Sequence, residues 1–159
     1  MPDSISKHEK NLAAAIHGSV FARFFVPMGQ FLLPLVLWLA NRKESAFADY
    51  HGKQVLNFQI SMLIYSSLVG LGTIPFALGS LPGFRNWTGS SSPFSLFTEF
   101  HIQMDSPFQN FPEFWLPLGI GGILVLGIYV TNIVYTILGI VKSANGEYFR
   151  YPLSIKFIK

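Results

Sequence analysis

Hydrophobic residues are concentrated in three long regions of this chain, at residues 12–41, 55–81 and 114–141. Charged residues lie mostly between these regions, and none occurs from the residue after Lys53 until Arg85. A transmembrane helix needs roughly 20 predominantly apolar residues to cross about 30 Å of hydrocarbon. The second and third regions reach that length, so each predicts a membrane-spanning helix.

The first hydrophobic region is divided near its middle by Val26-Pro27-Met28-Gly29-Gln30. Proline removes a backbone donor and disrupts the preceding turn, so this segment predicts a break or a sharp kink. The arms on either side are about 22 and 18 Å long at 1.5 Å per residue, too short to cross the bilayer untilted. Two arrangements remain: a broken helical hairpin with both ends on one side, or one kinked span that begins near His17.

The distribution of positive charge favours the hairpin. Nine of the 11 Lys and Arg residues lie in residues 1–11, 42–53 and 142–159. A hairpin would place all three segments on one side of the membrane, and the positive-inside rule makes that side cytoplasmic. The sequence therefore predicts a multi-pass membrane protein with a cytoplasmic C-terminus.

Three other segments complete a single membrane domain over residues 1–159. Residues 46–54 have a polar and an apolar side and predict an interfacial helix. The alternating tail, residues 142–159, is predicted to lie against the cytoplasmic interface or a partner, with Tyr148 and Tyr151 as contacts. Residues 82–113 predict an outer loop that rests at the membrane interface or covers a partner. Its contacts would come from a dense set of aromatic residues: Phe84, Trp87, Phe94, Phe97, Phe100, Phe108 and Phe111.

The composition agrees with a membrane protein, because half of the residues are hydrophobic and only 12% are charged. The net charge of +3 lies beside the apolar regions and not in a stripe, so we expect lipid as a partner and no nucleic acid. The chain has no cysteine, which excludes disulfides and thiolate metal sites. The four histidines have no spacing that places two ligands on one helical face. We expect no catalytic residues, no metal, no cofactor and no enzymatic activity.

Polar residues within the apolar regions are the better functional candidates, because such groups must be paired or hydrated in hydrocarbon. Arg23 is predicted either to reach an interface or to pair with a carboxylate of the aromatic loop or of a partner. Gln54, Asn57 and Ser61 fall on one side of the second span. They would line a polar groove or form interhelical hydrogen bonds, and Asn132 could meet them from the third span.

Several short motifs resemble bacterial membrane proteins related to the twenty-kilodalton Tic subunit of the chloroplast import translocon. They are Leu33-Pro34-Leu35-Val36-Leu37-Trp38-Leu39, Lys43-Glu44-Ser45 with Phe47, His51-Gly52-Lys53-Gln54-Val55-Leu56-Asn57-Phe58-Gln59, and Ala144-Asn145-Gly146-Glu147-Tyr148-Phe149-Arg150-Tyr151-Pro152-Leu153. The resemblance implies a small all-α membrane protein with four membrane-embedded helical elements, and it brings no catalytic residues. The long aromatic loop departs from that family's pattern.

These observations lead to two functional hypotheses. The first is a non-enzymatic accessory or scaffold subunit that binds other membrane proteins in a larger inner-membrane assembly, with protein translocation or export as the candidate process. The second is a small channel or transporter with a polar path between helices, formed by Gln54, Asn57 and Asn132.

Overall fold

All secondary structure in the described part of the chain is helical. The computed structural model describes residues 5–79 and 111–158. It contains α1 (Lys7–Gly18), a 3₁₀ helix (Ser19–Phe24), α2 (Gly29–Asn41), α3 (Ala46–Gly79) and α4 (Phe111–Ala144). The predicted all-α fold is confirmed.

The first apolar region folds as a hairpin whose two ends meet. Ser6 and Glu9 form a capping box at the start of α1, with each side chain bonded to the other residue's backbone N–H. The second oxygen of Glu9 accepts a hydrogen bond from Ser45, which precedes α3, at 2.7 Å. This bond, followed by those to Ser6, lowers the pKa of the Glu9 carboxyl. The structure thus has the hairpin form of the two arrangements that the sequence allows.

The hairpin reverses at residues 25–28. Met28 adopts the left-handed conformation, with φ of 61°, and α2 begins directly after it. A Cβ on Gly29 would lie 2.7 Å from the carbonyl oxygen of Ala22, so the residue that starts α2 must be glycine for the two arms to approach this closely. The break predicted at Pro27 is therefore present, and it is stabilised by a glycine contact as well as by the proline.

α2 packs against the first part of α3 through a tryptophan and a glycine. The indole N–H of Trp38 donates to Asp49 at 2.9 Å, and the Arg42 guanidinium lies over the ring at 5.4 Å from its centroid. A Cβ on Gly52 would lie 2.2 Å from Trp38 Cδ1. The backbone of α3 is therefore in direct contact with the indole.

We expect Gly52→Ala to destabilise the protein by about 2 kcal/mol, because overpacking a fixed core site costs about 1–3 kcal/mol. Trp38 is held from two sides, so it cannot turn away without losing its contacts. Gly72→Ala on the same helix is the matched control, because no atom of the described residues, apart from the backbone of α3 itself, lies within 4 Å of its added Cβ. Thermal unfolding in detergent should show a lower midpoint for Gly52→Ala only; equal midpoints would contradict this packing.

Within residues 5–79 and 111–158, two helices are long and apolar enough to cross a membrane, over Ala46–Ile74 and Leu118–Ala144. Residues 46–54, which the sequence assigns to an interfacial helix, are the first turns of the continuous helix α3. An ion pair between Lys53 and Asp49, with an N–O distance of 2.6 Å, lies on these turns.

The chain divides into two compact units, Met1–Ile64 with Tyr129–Lys159, and Tyr65–Ile128. In the second unit, α3 and α4 approach closely where Gly121 faces Thr73, because a Cβ on Gly121 would lie 2.5 Å from Thr73 Cγ2. The outer aromatic loop lies outside the described residues, and so do Phe84, Trp87, Phe94, Phe97, Phe100 and Phe108. Phe111 is the first residue of α4, and its side chain is likewise outside the description.

Candidate functional site

The first unit contains a buried histidine pair that connects three segments of the chain. His17 Nε2 of α1 lies 2.8 Å from His51 Nδ1 of α3, and His17 Nδ1 lies 2.7 Å from the hydroxyl of Tyr151 in the tail. All three side chains are buried. We call these residues the histidine cluster. It joins α1, α3 and the C-terminal tail by hydrogen bonds between side chains.

The surroundings of the histidine cluster are aromatic. Phe58 stacks on Tyr151 with ring centroids 4.1 Å apart, and Phe47 meets His51 edge-on at 4.4 Å. Burial raises the pKa of the Tyr151 phenol far above its usual value, so this hydroxyl keeps its proton. The two facing nitrogens of the histidines share one proton between them, as a neutral N–H···N bond requires. The cluster is a packed, hydrogen-bonded core.

A glycine of α4 makes room for the histidine cluster. A Cβ on Gly139 would lie 2.5 Å from His17 Nδ1 and 2.9 Å from the Tyr151 hydroxyl. The backbone of the third apolar region thus forms one wall of the cluster. Gly139 therefore packs against polar atoms.

A second polar group, the arginine cluster, consists of Arg23, Gln59 and Asn132. Arg23 Nη2 donates to the side-chain oxygens of both Gln59, at 3.3 Å, and Asn132. Asn132 Nδ2 in turn donates to the same Gln59 oxygen at 3.0 Å. The guanidinium also lies 5.9 Å from the centroid of the Tyr129 ring. Arg23 therefore points between α3 and α4, and its acceptors among the described residues are these two amide oxygens.

The C-terminal tail is held on α3 by Asn57 and Ser61. Asn57 Oδ1 accepts from the backbone N–H groups of Phe157 and Ile158, at 3.0 and 2.8 Å, and its Nδ2 donates to the carbonyl of Ile158 at 3.0 Å. Ser61 Oγ accepts from the N–H of Ile155 at 2.8 Å. These two side chains replace the neighbouring strand that an extended tail lacks, and they fix its position along the helix.

The structure sorts the predicted polar residues into different groups. Asn57 and Ser61 share one face of α3, as their spacing predicts, and that face binds the tail. Asn132 bonds Gln59 and Arg23 and does not join the set that the sequence proposed for it. Gln54 is half-buried on α3 and belongs to neither cluster.

The two tail tyrosines separate in the structure. Tyr148 is 60% exposed, whereas Tyr151, at 1%, is enclosed by the chain's own residues. Of the two, only Tyr148 presents a surface to the outside.

Sequence reasoning missed the roles of His17, His51 and Gln59. The two histidines lie on different helices, so their spacing gives no signal, yet the hairpin brings α1 against α3 and places them in contact. Gln59 follows Asn57 by two residues in an apolar region, and its polarity alone was the available signal. Among the described residues, no group of three or more His, Cys, Asp or Glu side chains lies close enough to hold a metal ion.

Comparison with known proteins gives one family. The sequence model described as the magnetosome magnetite crystal formation protein family matches residues 8–158. Neither the curated proteins nor the solved structures contain a match to this chain. The family is bacterial and membrane-associated, which confirms the coarser part of the resemblance; nothing supports the relation to the Tic subunit.

Proposed function

The chain belongs to the magnetosome magnetite crystal formation protein family, and we propose that it is a non-enzymatic accessory subunit of the membrane at which magnetite crystals form. The family match over nearly the whole chain carries this proposal. It concerns a supporting role in crystal formation, and the comparisons give no support to a role in protein translocation.

The geometry of the first unit supports a structural role for the polar side chains. The histidine cluster cross-links α1, α3 and the tail, and Asn57 and Ser61 bind the tail backbone. These contacts hold the hairpin and the tail in place. A frame of this kind suits a subunit that positions its surface for other components.

Apolar surface on α4 supports residence in a bilayer. Ile123, Leu126 and Val134 are exposed by 71, 60 and 47% in the isolated chain. In water, exposed apolar side chains of this number would form a large patch, whereas lipid covers them at no cost. Lipid is thus the partner that the exposed face of α4 fits.

Deletion and complementation in a magnetite-forming bacterium tests the proposal. Loss of the protein should alter the size or number of magnetite crystals seen by electron microscopy, and the wild-type chain should restore them. Total cell iron should not change if the role is accessory. Normal crystals after deletion would overturn the proposal, while reduced cell iron would favour the alternative of a channel or transporter.

The hairpin also predicts the membrane topology. Single cysteines at His8, Lys43 and Asn145, which are all exposed, should be labelled by an impermeant thiol reagent from the same side of the membrane. The positive-inside rule makes that side cytoplasmic. The chain has no cysteine of its own, so each label reports one site. Labelling of His8→Cys from the side opposite to Lys43→Cys would contradict the hairpin in the membrane.

A further inference from the structure

We infer that the arginine cluster is an intramembrane binding site for a carboxylate carried by a transmembrane helix of a partner protein. The inference rests on the proposed accessory role, because the partner helix must come from another subunit of the same membrane assembly.

The arginine cluster has more hydrogen-bond donors than acceptors. Arg23 Nε and Gln59 Nε2 are both buried and have no hydrogen-bond partner among the described residues. Gln59 as a whole is only 1% exposed. Its amide orientation is fixed, because Oε1 already accepts from Arg23 and from Asn132 Nδ2. Turning the amide over would direct N–H groups at two donors, so the free group is the N–H.

The positive charge of Arg23 has no anionic partner among the described residues. The hydrogen-bond acceptors of Arg23 are the neutral amide oxygens of Gln59 and Asn132. The ion pairs found in the described ranges join Lys53 with Asp49 and Lys142 with Glu147, and neither includes Arg23. A cation that is half-buried among amide groups is strongly favoured by an added anion, because a buried charge is costly unless paired. A carboxylate beside the half-exposed guanidinium of Arg23 would supply the missing negative charge.

The arginine cluster lies deep in the membrane, well inside the nearest cations of α3 and α4. Gln59 follows Lys53 by six residues, and Asn132 precedes Lys142 by ten. At 1.5 Å per residue the cluster lies about 9 to 15 Å inside those cations, which reaches into a hydrocarbon core about 30 Å thick. A lipid phosphate belongs at the headgroups, whereas an acidic side chain on a transmembrane helix can lie at any depth. Depth therefore favours a protein carboxylate over a lipid headgroup.

The surface beside the arginine cluster is apolar. Phe24 and Phe25 follow Arg23 directly and are exposed by 58 and 88%. An approach to Arg23 next to these rings is apolar, which suits a hydrophobic helix with one acidic residue better than a soluble anion. Arginine is also the cation that pairs best with a carboxylate, through its planar fork of donors.

The test uses the purified full chain in phosphatidylcholine vesicles at about pH 8, where a Glu side chain is ionised in water. Two synthetic leucine-rich transmembrane peptides are compared by energy transfer; they differ only in a central Glu or Gln. The wild-type chain should bind the Glu peptide about tenfold more tightly than the Gln peptide, since charge-assisted hydrogen bonds are the stronger ones. Equal binding of the two peptides would overturn the inference without the need for any variant.

Variants then assign the preference to Arg23. Arg23→Gln should abolish the preference for the Glu peptide, and Arg23→Lys should keep part of it. Lys53→Gln removes a cation from the first turns of α3 and should leave the preference intact. Circular dichroism checks that each variant keeps its helices. A Glu preference that survives in Arg23→Gln would also overturn the inference.

A further experiment tests whether an anionic lipid, and not a protein carboxylate, occupies the site. Phosphatidylglycerol that co-purifies with the wild type but not with Arg23→Gln, and that removes the Glu preference when added to the vesicles, would assign the site to lipid and overturn the partner helix. The outcome is independent of crystal formation in cells. A failed peptide test beside an altered crystal phenotype would refute this inference and leave the proposed function in place.

Discussion

Replacing Gly139 with alanine is expected to destabilise the protein by about 3 kcal/mol, at the upper end of overpacking costs. The added methyl group would lie 2.5 Å from His17 Nδ1 and 2.9 Å from the Tyr151 hydroxyl, both fully buried. Neither ring can withdraw easily, because His17 is bonded on both sides and Tyr151 is stacked on Phe58. Relief therefore requires α4 to move or the hydrogen bonds of the cluster to break.

The matched control is Gly127→Ala on the same helix. In the described part of the chain, no atom outside the backbone of α4 lies within 4 Å of a Cβ added at Gly127, so we expect only the helix propensity to change there. Alanine is favoured over glycine in a helix by about 1 kcal/mol, and the control should be neutral or slightly stabilised. Thermal unfolding of both variants in the same detergent should lower the midpoint for Gly139→Ala by roughly 6–12 °C. An unchanged midpoint for Gly139→Ala would mean that α4 does not press on the histidine cluster.

Gly139→Ala is expected to destabilise the protein and Gly127→Ala is not, although both replace a glycine of the same apolar helix. The sequence alone does not distinguish these two glycines. The third apolar region contains five glycines, and all of them could be assigned to helix packing. In the structure, Gly139 meets polar atoms, whereas an added Cβ at Gly122 or Gly127 meets no described residue within 4 Å beyond the backbone of α4. Which glycine is tightly packed depends on what lies opposite, and hydropathy does not contain that information.

The elements of the fold were predictable for a physical reason. In a bilayer, a long apolar segment of this kind satisfies its backbone hydrogen bonds by forming a helix. The segment around Pro27 must interrupt one of these helices. Pairing of the polar residues was less predictable, because it depends on the register of helices from distant parts of the chain. His17 and His51 are 34 residues apart and share no helix, yet closure of the hairpin places them in hydrogen-bond contact. The spacing of Asn57 and Ser61 predicts a shared face of α3, but only the path of the tail shows what that face binds.

The tail contact leads to the second large effect, for Asn57→Leu. The substitution keeps the size of the side chain but leaves two backbone N–H groups and one carbonyl of the tail without their partner. Unpaired polar groups cost about 1–3 kcal/mol each when buried, and partial hydration of a half-buried tail reduces the sum to about 3 kcal/mol. We expect this cost to appear as local release of the tail before the helices unfold.

Limited trypsin digestion measures that release. Arg150 and Lys156 are exposed side chains in the tail, but cleavage after them requires the backbone to leave α3. A loss of about 3 kcal/mol would raise the population of the released tail roughly 100-fold, and cleavage should accelerate accordingly. Asn57→Asp keeps the oxygen that accepts from Phe157 and Ile158, so it should show a smaller effect. Gln54→Leu, one turn away and outside the tail contact, should be cleaved at the wild-type rate. Equal cleavage of Asn57→Leu and Gln54→Leu would show that the Asn57 side chain does not hold the tail.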